Sequence, residues 1–329
     1  MLPPKLNHND LHGLFSISRG HVVDAFGGFS RQIMLPETKY RKYFSCKDWI
    51  VTLHQDGTMS LLHPFIRKQI ELPHVKTFTN LFRLSLSDMY ESFIFKCVLS
   101  MSPSSTSDYT VMVIYELFLH SLAYCKPGDK NWTTVNSWEP AFLDVVYYKE
   151  KFYAINYFNN IQVCDVRSDN PTETRQLGNI SDEVAELEPE RLYMVESEGA
   201  LLVVMVKIKS YSTYERLFWV FNVDFSTNTW TEIKDLDKRS LFLSQHSSMS
   251  VEISFDNYCK SNCIYFIEDC AESFLQARNE EEKELRVYNM QDGSAEKVYK
   301  MENRSIKRFS FDSYTHNHHI PLMWLEHSF

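Results

Sequence analysis

Cysteine and histidine are the side chains of this sequence whose grouping suggests metal chemistry. Cys259, Cys263 and Cys270 fall close together, and His316, His318 and His319 cluster near the C-terminus. A structural zinc site takes about four ligands and usually includes a tight Cys-x-x-Cys pair. Neither group supplies one, and Cys263 opens the run Cys263-Ile-Tyr-Phe266, which reads as a strand with a buried thiol. Gly27-Gly28 lacks the spacing and the following helix of a phosphate loop. There is no Gly-x-Ser-x-Gly nucleophile elbow. A nucleophile triad draws its members from distant positions, so spacing alone does not reveal one. With 43 acidic residues and 12 His, chance juxtapositions are expected. The expectation is therefore a protein that is not an enzyme, with no catalytic residue, no metal and no cofactor.

Trp132 and Trp230 could bind a partner through their rings. They hold the same position on two similar hairpins, which favours packing between sheets over recognition. The loops Met101–Ser107, Lys209–Tyr214 and Asp269–Glu284 are better candidates for contact, since function tends to sit on loops held by a rigid scaffold. The last carries Glu280-Glu-Glu-Lys-Glu284 and reads as a charged, loosely ordered segment, and the first as exposed and mobile. Tyr211 and Tyr214 attract attention in the second, but the sequence does not orient them, and no binding residue is assigned.

The elements that would position such loops are hairpins. Leu217–Ile233 is an apolar strand, a polar turn at Ser226, Thr227 and Asn228, and a strand led by Trp230. Gly128–Val135 repeats the turn followed by Trp-Thr. Leu285–Tyr299 turns at Gln291-Asp292-Gly293, Met59–Leu72 at His63-Pro64-Phe65, and Ile161–Leu177 between Arg167 and Pro171. The turns recur at intervals of roughly 40 to 65 residues, the self-similarity expected of a stacked or radial repeat. The fold expected is all-β: one β-propeller domain over residues 1–329 with about six blades of four antiparallel strands. Five or seven blades remain compatible with the spacing, and an irregular array of β-sandwiches is the alternative.

In chain order, Leu14–Ile17, Val22–Phe26 and Gln32–Leu35 suggest a first, incomplete blade. Asp48–Leu53 is a strand ending at the Gln55-Asp56-Gly57 turn, and Pro73 closes that meander. Phe93–Leu99, Thr110–Leu117 and His120–Tyr124 lead into the Trp132 hairpin, and Phe142–Tyr148, Phe152–Asn156 and Ile161–Val166 form the next unit. Ser181–Glu190 is acidic, has helical spacing at Val184 and Leu187, and reads as a helix of one or two turns. Arg191–Val195, Ala200–Ile208, Phe218–Val223 and Trp230–Ile233 make a further blade. The last uses Leu241–Leu243, Ser248–Ile253, Ile264–Ile267, Leu285–Tyr288 and Ala295–Tyr299. Ser305–Phe311 and Pro321–Leu325 are expected to return and pair with the first unit, which would remove exposed strand edges.

Composition narrows the classes. The formal net charge is −9, so a nucleic-acid footprint is not expected, and the basic runs Lys39–Lys42 and Arg304–Arg308 are too short to make one. Seven scattered cysteines with no export signal before them fit a reduced compartment, the cytoplasm or nucleus. No apolar run approaches the ~20 residues needed to span a bilayer.

Motifs spread over most of the chain resemble one family. They are Met1-Leu-Pro-Pro4, Phe15-Ser-Ile-Ser18, Trp49-Ile-Val-Thr52, Leu62-His-Pro-Phe65, Ile70-Glu-Leu-Pro73, Asp144-Val-Val146 with Lys151-Phe-Tyr-Ala154, and Tyr193–Ser197 with Gly199. Phe221-Asn-Val-Asp224 with Trp230, Leu241-Phe-Leu243, Ser248-Met-Ser-Val251, Cys263–Phe266 and Val287–Gly293 continue the series. In this order they resemble the plant KIB-type β-propeller family, the kelch-like domain found behind the F-box in many plant F-box proteins. Ser244-Gln245-His246 departs from the family, where a Gly and an Asn follow Leu-Phe-Leu; a changed turn is expected there and an unchanged fold. Leu2–Leu6 resembles an F-box opening, but no amphipathic helices follow it, so the F-box is expected to be absent.

The resemblance implies a substrate-recognition propeller of the kind that delivers target proteins to a Skp-cullin ubiquitin ligase. Without the F-box, docking on the Skp-type adaptor is not expected. The alternatives are a propeller enzyme acting on a small molecule and a truncated copy without function. A deep polar pocket on the channel axis would favour the enzyme; a flat, loop-lined face would favour interaction.

Overall fold

The computed structural model describes residues 14–18, 21–24, 33–38, 41–79, 85–86, 93–116, 119–179, 184, 186–210, 215–227, 229–253, 259–267, 285–297 and 324–326. They form six sheets. The first holds β1 (Leu14–Ser18), β2 (His21–Asp24) and β3 (Ile33–Met34). The second runs β4 (Arg41–Cys46), β5 (Trp49–His54), β6 (Met59–Leu62) and β7 (Gln69–Leu72), and the third β8 (Ile94–Leu99), β9 (Val111–Tyr115), β10 (Ser121–Cys125) and β11 (Thr133–Val135). The fourth runs β12 (Phe142–Tyr148), β13 (Lys151–Asn156), β14 (Asn160–Cys164) and β15 (Thr174–Asn179), and the fifth β16 (Arg191–Ser197), β17 (Ala200–Ser210), β18 (Glu215–Asp224) and β19 (Thr229–Ile233). The sixth holds β20 (Arg239–Leu243), β21 (Ser248–Glu252), β22 (Cys263–Ile267), β23 (Leu285–Asn289) and β24 (Ala295–Lys297). The C-terminal β25 (Trp324–Glu326) pairs with β1, so the two ends of the chain share a sheet.

The strands β4, β8, β12, β16 and β21 stand beside one another in that order as the inner edges of their sheets, with β25 against β4. A hydrophobic core fills the space between each neighbouring pair from the second sheet to the sixth. Phe44, Trp49, Leu61, Val113 and Tyr115 lie between the second and third. Met112, Phe142 and Phe152 lie between the third and fourth, Ile161, Met194 and Val203 between the fourth and fifth, and Val204, Leu241 and Ile264 between the fifth and sixth. β9, Val111–Tyr115, is thus apolar and buried on both faces, as a sheet packed on both sides requires. The five hairpins singled out in the sequence are the outer strand pairs of the second to the sixth sheets.

One turn shows how locally the sequence dictates this. Gly57, in the turn after β5, has a φ of 92°, and a Cβ there would lie 2.6 Å from His74 and from Val75. Only glycine meets both the dihedral and the space. Asp56 Oδ1 accepts from the Thr58 N–H at 2.8 Å and fixes the same turn.

The expected count of about six blades is corrected to five blades of four antiparallel strands. Five sheets are four-stranded and wholly antiparallel; the sixth is not. There β21 folds back from β20 to the inner edge, and β22 pairs with the other side of β20 in parallel, which gives five strands in the order β21-β20-β22-β23-β24. β20 and β21 are joined by the turn Ser244–Ser247, in which Ser244 N–H donates to Ser247 O at 2.9 Å. Of the helix expected over Ser181–Glu190, residues 181–183 and 185 lie outside the described residues, and 186–190 form a turn and irregular backbone instead; Leu187 N–H donates to Val184 O at 3.2 Å and both side chains join the core. Gly27-Gly28, Tyr211, Tyr214, 269–284, Cys270, 304–311 and the three C-terminal histidines also lie outside them.

Candidate functional site

The residues weighed for chemistry are structural where they are described. Cys263 is buried and packs near Cys259, and no metal-holding group occurs among the described residues. Trp132 stacks on Phe78 with ring centroids 4.9 Å apart and donates its indole N–H to Pro73 O at 2.9 Å. Trp230 is half-buried in the core between the fourth and fifth sheets. The serine loop 101–107 is not loose. Ser102 and Ser104 donate to the buried Asp48 at 2.8 and 3.0 Å, and Trp49 Nε1 donates to Ser104 Oγ at 3.0 Å.

Two charged groups on the inner strands are also tied off. Lys96 on β8 and Asp144 on β12 form a buried ion pair. Asp144 further accepts from the Met194 N–H of β16 at 2.7 Å and from its neighbour Val145 at 2.6 Å. Burial pushes the Asp144 carboxyl upward, against the pull of Lys96 and the two N–H donors. One carboxylate thus joins three inner strands. Sequence reading placed Asp144 in a family motif without this role, and Lys96, a lone charge in an apolar strand, was the available signal. An open cleft of about 650 Å³ lies off the axis between the fifth and sixth sheets, lined by Phe218, Ile233, Asn262, Tyr288 and Met290.

The outward-facing chemistry lies elsewhere. Of the seven large apolar side chains exposed among the described residues, four belong to one set of linked loops: Leu119 (47%), Trp138 (69%), Tyr157 (72%) and Phe158 (57%). Ala141 N–H donates to Leu119 O at 2.6 Å, and Tyr157 N–H donates to Ala141 O at 2.9 Å. Asn156 ties the remainder: its Nδ2 donates to Glu139 O at 3.0 Å, and its Oδ1 accepts from Phe158 N–H at 3.1 Å and Asn160 N–H at 2.9 Å. The Tyr157 and Phe158 rings meet edge-to-face at 5.9 Å. The result is a firm ledge at one end of the third and fourth sheets.

The backbone beneath the ledge is unusual. Glu116, His120, Ala141 and Asn159 have φ of 80°, 42°, 61° and 62°. Asparagine tolerates this region, but Ala and Glu occupy it only where surroundings enforce it, and such outliers gather at functional sites. Glu116 is buried, accepts from Ser121 Oγ at 3.3 Å, and is raised by burial. The His120 ring lies 4.6 Å from that of Phe95, and burial lowers its basicity. Asn159-Asn160 is a turn pair by residue type, but nothing in the sequence signals that the two aromatics before it stay in solvent.

Sheets ranged around an axis, each packed on its neighbour through a hydrophobic core, define a β-propeller. A family model for the KIB1-4 beta-propeller matches residues 14–289, and the chain belongs to that family. It is similar to the F-box protein At5g55150 of Arabidopsis thaliana, 28% identical over 63% of this chain and 59% of that protein. It is also similar to F-box only protein 7 of the same plant, 26% identical over 57% of this chain and 49% of that one, and to F-box protein At2g26160, 23% identical over 71% and 77%. The match thus spans about half the length of the first two relatives.

Proposed function

We propose that this chain is a protein-recognition propeller, corresponding to the target-binding part of plant F-box proteins in SCF ubiquitin ligases. The observation that carries the reading is the ledge: four exposed apolar side chains on hydrogen-bonded loops, a patch of the kind that marks interaction sites. Family membership and F-box relatives support it. The small-molecule enzyme is less well supported, because Asp144 is engaged on all sides and the cleft lies off the axis. Contact with a Skp-type adaptor is not among the tasks proposed for these residues, and the cytoplasm or nucleus is the proposed setting. No helix among the described residues is long and apolar enough to cross a membrane.

The test is affinity purification of the tagged chain from its native cells, beside a Trp138→Ala/Phe158→Ala variant. A specific protein retained by the first and lost by the second supports the reading. A protein retained equally by both places recognition elsewhere, and recovery of none overturns it.

A further inference from the structure

The charges around the ledge are one-sided. The loops 116–120, 136–141 and 156–160, and the segment 184–190, contain no Lys or Arg, while Glu116, Glu139, Glu186, Glu188 and Glu190 all lie on them. Segment 184–190 belongs with the ledge because Val184 and Leu187 pack in one cluster with Ile161, the residue after Asn160. Glu186, Glu188 and Glu190 are exposed, and Glu188 faces Lys207 of the next sheet at 3.4 Å. The turns at the opposite end of the same two sheets are mixed in charge, with Lys126, Lys130, Lys149 and Arg167 among their acids. The polarity is therefore carried by these loops, while the cations Arg191 and Lys207 stand on the adjoining strands of the fifth sheet.

We propose that the ledge takes a segment of a partner protein in which a Lys or Arg stands beside a large apolar side chain; this rests on the protein-recognition reading. The apolar side chain lies among Trp138, Tyr157 and Phe158. Exposed aromatics of this kind supply large contact area at little conformational cost. The cation faces the exposed Glu186 and the half-buried Glu139, whose Oε2 also accepts from Asn160 Nδ2. The same acids repel nucleic acid and anionic lipid, which share the phosphate chemistry this end does not suit. A steered, salt-sensitive encounter follows from the one-sided field.

The test uses the purified chain to select from a random-peptide display library at low salt. Enriched peptides are synthesised with a fluorescent label and titrated by anisotropy. The expected peptides share a Lys or Arg adjacent to a large apolar residue. Trp138→Ala/Phe158→Ala weakens them about tenfold or more. Glu139→Gln/Glu186→Gln weakens them a few-fold at low salt, and by little at high salt, where exposed charges are screened. All four positions are solvent-accessible, and circular dichroism verifies that each variant is folded. Acidic or neutral peptides that still depend on Trp138 and Phe158 would overturn the charge proposal and leave the recognition surface standing. Failure to enrich any peptide, or peptides indifferent to the aromatic pair, would overturn both.

Discussion

His246 and Phe95 are joined by a hydrogen bond 2.8 Å long between positions 151 apart in the chain. The Phe95 carbonyl can only accept, so Nδ1 of His246 carries the proton. The same ring meets Phe44 edge-on at 5.3 Å. A turn of the sixth sheet is thereby held against the inner strands of the second and third. His246→Ala leaves the Phe95 carbonyl without this donor and opens a gap beside Phe44. A loss of about 1–3 kcal/mol is expected from the urea midpoint. His246→Asn, which can still donate, should lose less; equal losses would show that packing and not the bond holds the turn.

The Lys96–Asp144 pair predicts an asymmetry between single and double replacement. Lys96→Met leaves the Asp144 carboxylate buried without its cation and should cost about 3–5 kcal/mol. Lys96→Met with Asp144→Asn removes the stranded charge and keeps a side-chain oxygen for the Met194 N–H. The double variant should therefore be more stable than the Lys96→Met single in equilibrium denaturation. Additive losses would mean that the two groups stabilise the fold independently.

Trp132 and Trp230 look equivalent in the sequence and are not equivalent in the fold. Trp132 is 3% exposed, stacked on Phe78 and hydrogen-bonded, while Trp230 is half-buried. Trp132→Ala should cost about 3–5 kcal/mol, and Trp230→Ala clearly less, both read from thermal or urea unfolding.

That pair shows what the sequence carries. Strand alternation and polar turns are local, so the five outer hairpins, the Asp56-Gly57 turn and the pairing of the C-terminal strand with the first were legible. Strand order is not local. The five strands of the sixth sheet were each visible, but nothing in Ser248–Glu252 announces that it takes the inner edge while β20 and β22 run parallel. Exposure is not local either. Nothing in the sequence between the strand Phe152–Asn156 and Asn159 marks Tyr157 and Phe158 as exposed, and Met101–Ser107, read as mobile, is bonded down by Asp48.

The buried His63 and the half-buried His120 give the stability a pH dependence near neutrality. Burial lowers His63 below its ordinary 6.5, outweighing the nearby Asp48, and burial lowers His120 likewise. His63 Nδ1 accepts from the Phe65 and Ile66 N–H groups at 3.3 Å, so a proton there displaces both donors. In the unfolded chain both rings take protons near their ordinary value while the folded ones resist. Their contribution is therefore intact above about pH 6.5 and is lost as pH falls below it. The urea midpoint should decline from about pH 7.5 to about pH 6, and His63→Asn/His120→Gln should flatten that decline. An unchanged slope in the double variant would assign the effect to other groups.

Asp48 predicts a change confined to one loop. It is buried in the turn between β4 and β5, with His63 Nε2 3.6 Å away and the Ser102 and Ser104 hydroxyls bonded to it. Asp48→Ala removes the acceptor on which both serines converge, and loop 101–107 loses its attachment to the second sheet apart from the Trp49–Ser104 bond. Local opening should then become easier while the inter-sheet core stays in place. Limited proteolysis should cut the variant faster within 101–107, with the fragments staying together under native conditions. Ser102→Ala, which removes one of the two hydroxyl bonds, should fall between wild type and Asp48→Ala. Cleavage that accelerates equally across the chain would show that Asp48 supports the propeller as a whole and not this loop.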